Sequence, residues 1–430
     1  MMSSITYNLG LQHWLGSCFA KRLFEDYSIS DERLYRLWIA EGFVKAEEHK
    51  TLEEVAKAYL NELMIWDEKK SRGKGRHLII STSTENVETT GVRSILLFDI
   101  EDKLTESFMV TLSMKFRFLE VLDYQNALID ALPKELGNLC CLKYLSLRYT
   151  NVRVLPKSIG NLCNLQSLDI RDTLIDKLLI EINKLKNLRH LLAYRYNSSA
   201  ANSMDFVHGV LMQEGFGQLE ELQTLTLVEA HQSAVGLMKE LEKLRKLRWL
   251  GITKLTREFG RALCAYIAKM DHLERLFVNS IDENEVLDLQ YIPSNSLHFL
   301  RDLLLVGRLE KLPEWIQNLQ NLQGLCLCLS RLSDIELSKC LQGLPNLVSL
   351  ELLDQAYEGE QLQFEEGGFR KLKRLTLNRL YRLQLVKIDK GALPVLELLD
   401  ITDCLLLNEM PSIHHLGSIK HVFVNGEPLH

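Results

Sequence analysis

Apolar residues along most of this chain fall on one short template, leucine-x-x-leucine-x-leucine, in which Ile, Val, Tyr or Ala sometimes stands in. Copies begin at Leu119, Leu142, Leu165, Leu188, Leu222, Leu247, Leu273, Leu300, Leu322, Leu347, Leu372, Leu396 and Ile419. The steps between them are 23, 23, 23, 34, 25, 26, 27, 22, 25, 25, 24 and 23 residues, a mean of 25. A further copy starts at Val92, and a weaker one surrounds Leu78-Ile79-Ile80. Each copy reads as a short strand. Positions 1, 4 and 6 point into the coil, and positions 3, 5 and 7 point the other way.

Between strands lies a second pattern. Leu132-Pro133 through Leu139 leads into Leu142, Leu155-Pro156 through Leu162 leads into Leu165, and Leu312-Pro313 through Leu319 leads into Leu322. The apolar spacing is helical, and a proline in the first turn of a short helix loses little. Near Leu178-Leu179 the proline is gone but the spacing persists. A repeat of this length, with one strand and one short helix, predicts a leucine-rich-repeat solenoid. The fold class is therefore α/β, with a parallel sheet on the concave face and short helices on the convex face. Lone rungs cannot bury their leucines, so stacked neighbours must complete the core. The single 34-residue step carries the small polar run Asn197 to Ser203, which predicts a loop dividing the array into two blocks near 195–215.

Residues 1–66 lack the repeat. Ser30-Asp31-Glu32 provides a helix start with an acidic first turn, and Thr51-Leu52-Glu53-Glu54 is a capping box. The partition expected is a helical segment over 1–66, a polar linker with a first rung over 67–91, and the repeat domain over 92–430.

Composition narrows the class of function. A chain of 430 residues exceeds what one compact core serves, consistent with an elongated array. Its net charge of −6 gives no general attraction for phosphate backbones, so nucleic acid is not an expected partner. No apolar run reaches the length of a membrane span. Without a signal-peptide pattern at Met1, the nine cysteines read as reduced thiols in the cytoplasm. Cys140-Cys141 and Cys326/Cys328 lack the second pair that a zinc site needs, so they read as small apolar residues. His414, His415 and His421 lack a completing ligand, and the pairs of carboxylates read as solubilising charge. No catalytic, cofactor or metal residues are assigned.

The concave face is where such a solenoid binds. Positions 3, 5 and 7 supply Tyr144, Arg148, Asp169, Arg171, His190 and Tyr194 in early rungs. Trp249, Arg275, Phe277 and Asp302 follow in the middle, and Arg374, Asp400, His421 and Phe423 late. Aromatic and arginine side chains dominate protein-binding hot spots. Tyr144, Arg148, Arg171, Tyr194 and Trp249 are expected to form one cluster.

Several segments carry a family resemblance. They are Glu25-Asp26-Tyr27, Arg33 through Phe43, Thr51 through Ala56, Tyr59 through Leu63, Val92 through Phe98, Leu132 through Leu139, Gly307 through Ile316 and Gly367 through Leu372. Together they resemble plant coiled-coil-type NLR disease-resistance proteins, with a partial winged helix ahead of the repeats. The resemblance implies an innate-immune recognition protein whose partners are pathogen effectors, host proteins modified by them, or a full-length NLR relative. In that family a nucleotide-binding module does the switching. Here there is no Gly-x-x-x-x-Gly-Lys-Ser/Thr, no coiled-coil domain, and no Met-His-Asp motif after Leu63, so no ATP or ADP site is expected. The reading is of a truncated member. Two alternatives stay open: a general repeat scaffold, and a substrate adaptor of a ubiquitin ligase.

Overall fold

The computed structural model describes residues 31–47, 49–65, 77–80, 92–97, 103–197, 206–230, 234–333, 337–408, 411–425 and 427–428. Ser30 and the stretch from Asn197's neighbour Ser198 to Ser203 lie outside them, as do Glu25-Asp26-Tyr27. The chain forms two compact units. The first comprises Lys21–Tyr196 with His208–Val228, and the second is chiefly Glu229–His430. The boundary thus falls after the rung that starts at Leu222, which stays with the first unit.

In the first unit, parallel strands follow one another in chain order. They are His77–Ile80, Ser94–Leu97, Val121–Asp123, Tyr144–Ser146, Ser167–Asp169, His190–Leu192 and Thr224–Glu229. The two earliest copies are therefore true rungs, with His77 opposite Ser94. In the second unit the strands are Trp249–Leu255, Arg275–Ser280, Asp302–Val306, Gly324–Cys328, Ser349–Leu353, Arg374–Asn378, Leu398–Thr402 and His421–Val424. Its last strand is closed by an antiparallel partner, Glu427–Pro428, which limits the exposed sheet edge. A small parallel pair, Gln361–Phe364 with Leu385–Ile388, runs alongside.

The leucines do what the template requires. Every first-position leucine from Leu119 to Leu396 is at most 1% exposed, and each buried leucine contributes about 1.5–3 kcal/mol relative to exposure. Ile419, on the final rung, is half-buried because it has fewer neighbours. Asparagines tie the turns together: the side-chain amides of Asn164 and Asn187 donate to the carbonyls of Cys140 and Cys163, each at 2.8 Å.

The convex segments differ from expectation in one respect. Lys134–Asn138, Lys157–Asn161 and Ile180–Lys184 are 3₁₀ helices, and Pro133 and Pro156 precede them in extended conformation instead of occupying the first turn. A 23-residue rung leaves five residues for this wall, and the 3₁₀ form spans more length per residue. Cysteine burial is also mixed. Cys326 and Cys328 are buried, whereas Cys140 is exposed at its turn and Cys141 half-buried.

Ahead of the repeats, α1 spans Asp31–Ala40 and α2 spans Leu52–Ile65. The capping box forms reciprocally: Thr51 N–H donates to Glu54 Oε2 at 2.8 Å, and Glu54 N–H to Thr51 Oγ1 at 3.3 Å. Tyr35, Ile39, Val44, Val55 and Ala56 make a small core, with Trp38 and Leu52 packed against it.

Candidate protein-recognition surfaces

The first unit does not present its concave face bare. Helix α1 sets Leu37 and Ala40 against Val121 and Tyr144, which are position-3 residues of adjacent strands. Tyr144 is fully buried as a result. From the same helix, Arg33 pairs with Asp123 at position 5. Next along the face, Arg171 grips Asp169 through two bonds, Nε to Oδ1 at 2.8 Å and Nη2 to Oδ2 at 2.6 Å. Burial alone would push the Asp169 carboxyl up, but the adjoining Arg171 outweighs it and holds the group at about 2.

Helix α2 reaches the same sheet through Glu53. Arg189 donates to Glu53 Oε2 at 2.8 Å, and His190 Nε2 lies 3.0 Å from Oε1. On its other side, His190 Nδ1 lies 3.1 Å from Thr224 Oγ1. Burial lowers the His190 pKa, the contact with Glu53 opposing it. A neutral imidazole then donates from Nε2 to the carboxylate and accepts the threonine hydroxyl at Nδ1, a tautomer assigned from the hydrogen-bond network. Burial would raise the Glu53 pKa, yet the His190 and Arg189 contacts bring it down to about 2.

Of the early residues proposed for partner binding, then, Tyr144, Asp169, Arg171 and His190 are buried. Tyr194 is buried as well, and Arg148 stands half-buried at the rim. The Arg148 guanidinium lies over the Tyr149 ring at 4.5 Å, and Arg171 lies 5.9 Å from the Tyr194 ring. The expected cluster is thereby divided between units: Tyr144, Arg148, Arg171 and Tyr194 gather in the first, whereas Trp249 belongs to the second.

In the second unit, strand register places Trp249, Arg275, Asp302, Gly324, Ser349, Arg374, Leu398 and His421 in one row. The Arg275 guanidinium lies 5.5 Å from the Trp249 ring and 3.2 Å from the Asp302 carboxylate. Trp249, Arg275, Asp302 and Arg374 are half-buried, and His421 is exposed. The neighbouring row holds Phe277, Leu304, Cys326, Glu351, Thr376, Asp400 and Phe423. Phe277 is buried and Phe423 half-buried, the latter stacked on His421 at 6.3 Å. The Thr402 hydroxyl donates to Asp400 at 2.8 Å.

Glu351, absent from the sequence-based candidates, is also in this row. Burial raises its pKa to about 7, although Arg374 and Ser349 pull the other way. Its place at position 5 of the rung starting at Leu347 was a readable signal. Among the described residues, no group of three or more His, Cys, Asp or Glu is arranged to hold a metal, and no helix is long and apolar enough to cross a membrane.

Stacked parallel rungs with leucine-filled cores define a leucine-rich-repeat protein, and the leucine-rich repeat region family matches residues 91–428. The disease resistance protein winged helix domain matches residues 24–67, and the chain belongs to the disease-resistance family of plant leucine-rich-repeat proteins. It is 32% identical to disease resistance protein RPM1 of Arabidopsis thaliana over 437 residues, covering 90% of this chain and 46% of that protein. Identity to disease resistance RPP8-like protein 3 of Arabidopsis thaliana is 23%, covering 78% of this chain and 36% of the relative. The chain therefore spans less than half the length of these two curated relatives. Among solved structures, a Leptospira interrogans leucine-rich-repeat protein aligns with a TM-score of 0.45 at 21% identity, over 73% of this chain and 84% of the other.

Proposed function

We propose that this chain is a non-enzymatic recognition protein of plant innate immunity, acting in the cytoplasm. It binds a pathogen effector, or a host protein altered by one, on the concave face of its second repeat unit. One observation carries this reading: Trp249, Arg275 and Asp302 form a mutually oriented aromatic–cation–anion row on a rigid sheet. A tryptophan held by a guanidinium is a low-entropy anchor of the kind found at hot spots. Arg374, Asp400, His421 and Phe423 extend the same face toward the C-terminal rungs. In the first unit the equivalent rows are engaged by α1 and α2, so that unit serves chiefly to hold the helical segment.

No ATP or ADP role is proposed, since the sequence lacks the phosphate-cradling loop. A full-length relative is a further candidate partner. The experiment is expression in leaf tissue, comparing the wild type with a Trp249→Ala/Arg275→Ala double variant. The wild type should alter pathogen growth or trigger cell death, and the double variant should lose that effect at equal protein level. An inert wild type would favour the general scaffold. Co-purification of ubiquitin-ligase core subunits through residues 31–65 would favour the adaptor.

A further inference from the structure

In the turn that leads into each strand, the position two residues before the first leucine meets water. Arg117, Lys186, Glu220, Arg245 and Asp271 hold it in other rungs, and all are exposed. In the consecutive rungs that begin at Leu142 and Leu165 it is held by Cys140 and Cys163, and both are exposed too. Free cysteine is ordinarily among the most buried of residue types. Neither of these thiols adds to the leucine core, so packing does not account for them.

The two turns are in register. The strands after them pair in parallel with Tyr144 opposite Ser167, so residues one rung apart are neighbours. The side-chain amide of Asn164, next to Cys163, donates to the Cys140 carbonyl at 2.8 Å. Just before the turns the rungs approach closely, since a Cβ on Gly137 would lie 2.6 Å from Ser158 Cβ. Neighbouring strands of a sheet are about 4.8 Å apart. At that spacing, equivalent side chains on consecutive rungs meet the Cα separation of a disulfide, about 4.4–6.8 Å. A third thiol, Cys141, lies within hydrogen-bonding reach of Cys140, and burial together with that neighbour pushes the Cys141 thiol up. Cys141 thus stays protonated and half-buried, which leaves exposed Cys140 as the attacking sulfur.

We propose that Cys140 and Cys163 form a reversible redox modification site, closed by hydrogen peroxide to a disulfide across consecutive rungs. The Cys140 thiolate attacks one peroxide oxygen, the O–O bond breaks, and a sulfenic acid forms. The hydroxide released takes up the proton shed by Cys140 and leaves as water. The Cys163 thiolate then attacks the sulfenic sulfur, so that the S–S bond forms and the S–O bond breaks. The second hydroxide leaves as water with the proton from Cys163. An electron pair has passed from the two sulfurs to the peroxide, and a dithiol returns it. The bridge closes a loop one rung long and fixes the spacing of the strands that carry Tyr144 and Asp169. It acts independently of which partner the second unit takes.

The test exposes the whole chain, reduced and then freed of reductant, to hydrogen peroxide, followed by alkylation, trypsin and mass spectrometry. The tryptic segments 135–143 and 158–171 should appear as one disulfide-linked pair, with the bridge at Cys140, and dithiothreitol should separate them. Buried Cys264, Cys326 and Cys328 should remain alkylatable once the oxidised chain is unfolded. The oxidised chain should have a Tm about 5 °C above the reduced one, because the closed loop restricts the unfolded state. Cys163→Ser should abolish both the linked pair and the Tm rise, whereas Cys141→Ser should keep both. In the Cys141→Ser/Cys163→Ser double variant, dimedone should capture a sulfenic acid at Cys140. A bridge between Cys140 and Cys141 inside segment 135–143 overturns the proposal. So do separate sulfinic acids at Cys140 and Cys163, or a disulfide-linked dimer in place of the linked pair.

Discussion

The two repeat units use one template to different ends. In the first, rungs starting at Leu119, Leu142, Leu165 and Leu188 keep a 23-residue period, with three-residue strands and five-residue 3₁₀ helices. In the second, steps of 22 to 27 residues accompany strands of four to seven residues, and one convex wall is an 11-residue α-helix, Arg257–Ile267. The outward faces differ more. The first unit's positions 3 and 5 carry Tyr144, Asp123 and Asp169, which are engaged or hemmed in by α1; the second's carry Trp249, Arg275 and Asp302, which orient one another. Identical rung chemistry inside thus says little about what the face outside is for. The use of the face is set by residues that contribute nothing to the leucine core.

Unpairing the α1 contact of the first unit should be the most damaging single change. Asp123→Ala leaves the Arg33 guanidinium buried without its carboxylate, which should cost about 3–5 kcal/mol. Because the loss falls on the α1 contact, amide exchange should accelerate in residues 31–47 while the second unit's strands stay protected. Replacing Asp302 in the second unit should cost much less, since Arg275 keeps its ring contact and access to water. Equal losses in the two variants would mean that the two units hold their outward-facing ion pairs alike.

How much of this was legible in the sequence follows from what periodicity encodes. The leucine spacing located the rungs, and Thr51 with Glu54 located the start of α2. Alternation along a strand also told correctly that Tyr144, Asp169 and His190 point away from the leucine core. It could not tell what meets them there, because α1 arrives from about a hundred residues away in the chain. One signal was available: Arg33 and Arg36 sit three apart on one helix face, and Asp123 and Asp169 both occupy position 5 of their rungs. The prolines misled for a smaller reason, since helical spacing alone does not distinguish an α from a 3₁₀ turn in five residues.

The units should also respond to pH with opposite sign. Glu53 is held at about 2, below its usual 4.5, so its stabilisation of the first unit is present above 4.5 and disappears as pH falls toward 2. Glu351 is raised to about 7, so the second unit has its full stability below 4.5 and loses it as pH rises through 7. Each shift corresponds to an order of 3 kcal/mol. Thermal unfolding against pH checks both. Glu351→Gln should raise the Tm near pH 8 and leave it unchanged near pH 4, whereas Glu53→Gln should lower it near pH 7 and matter little near pH 2. If the two variants share one pH profile, the units are not electrostatically distinct.

The finest difference lies in the turn after each strand of the first unit. Asn126, Tyr149 and Asp172 occupy the same rung position 23 residues apart, and all have left-handed backbones, with φ of 64°, 58° and 54°. Asparagine and aspartate adopt this region readily, while a tyrosine is strained there by about 1–2 kcal/mol. Tyr149 stays because its ring and hydroxyl are held by Arg148, the hydroxyl at 2.8 Å. Tyr149→Asn removes the strain and loses that contact, worth about 0.5–1 kcal/mol at a half-exposed site. The net change should be a stabilisation under about 1 kcal/mol, read by denaturant unfolding, with Arg148 freed from the ring. A destabilisation beyond that would mean that the Arg148–Tyr149 pair is part of how the first unit holds its rim, and that the rim is built as deliberately as the Trp249–Arg275 row of the second.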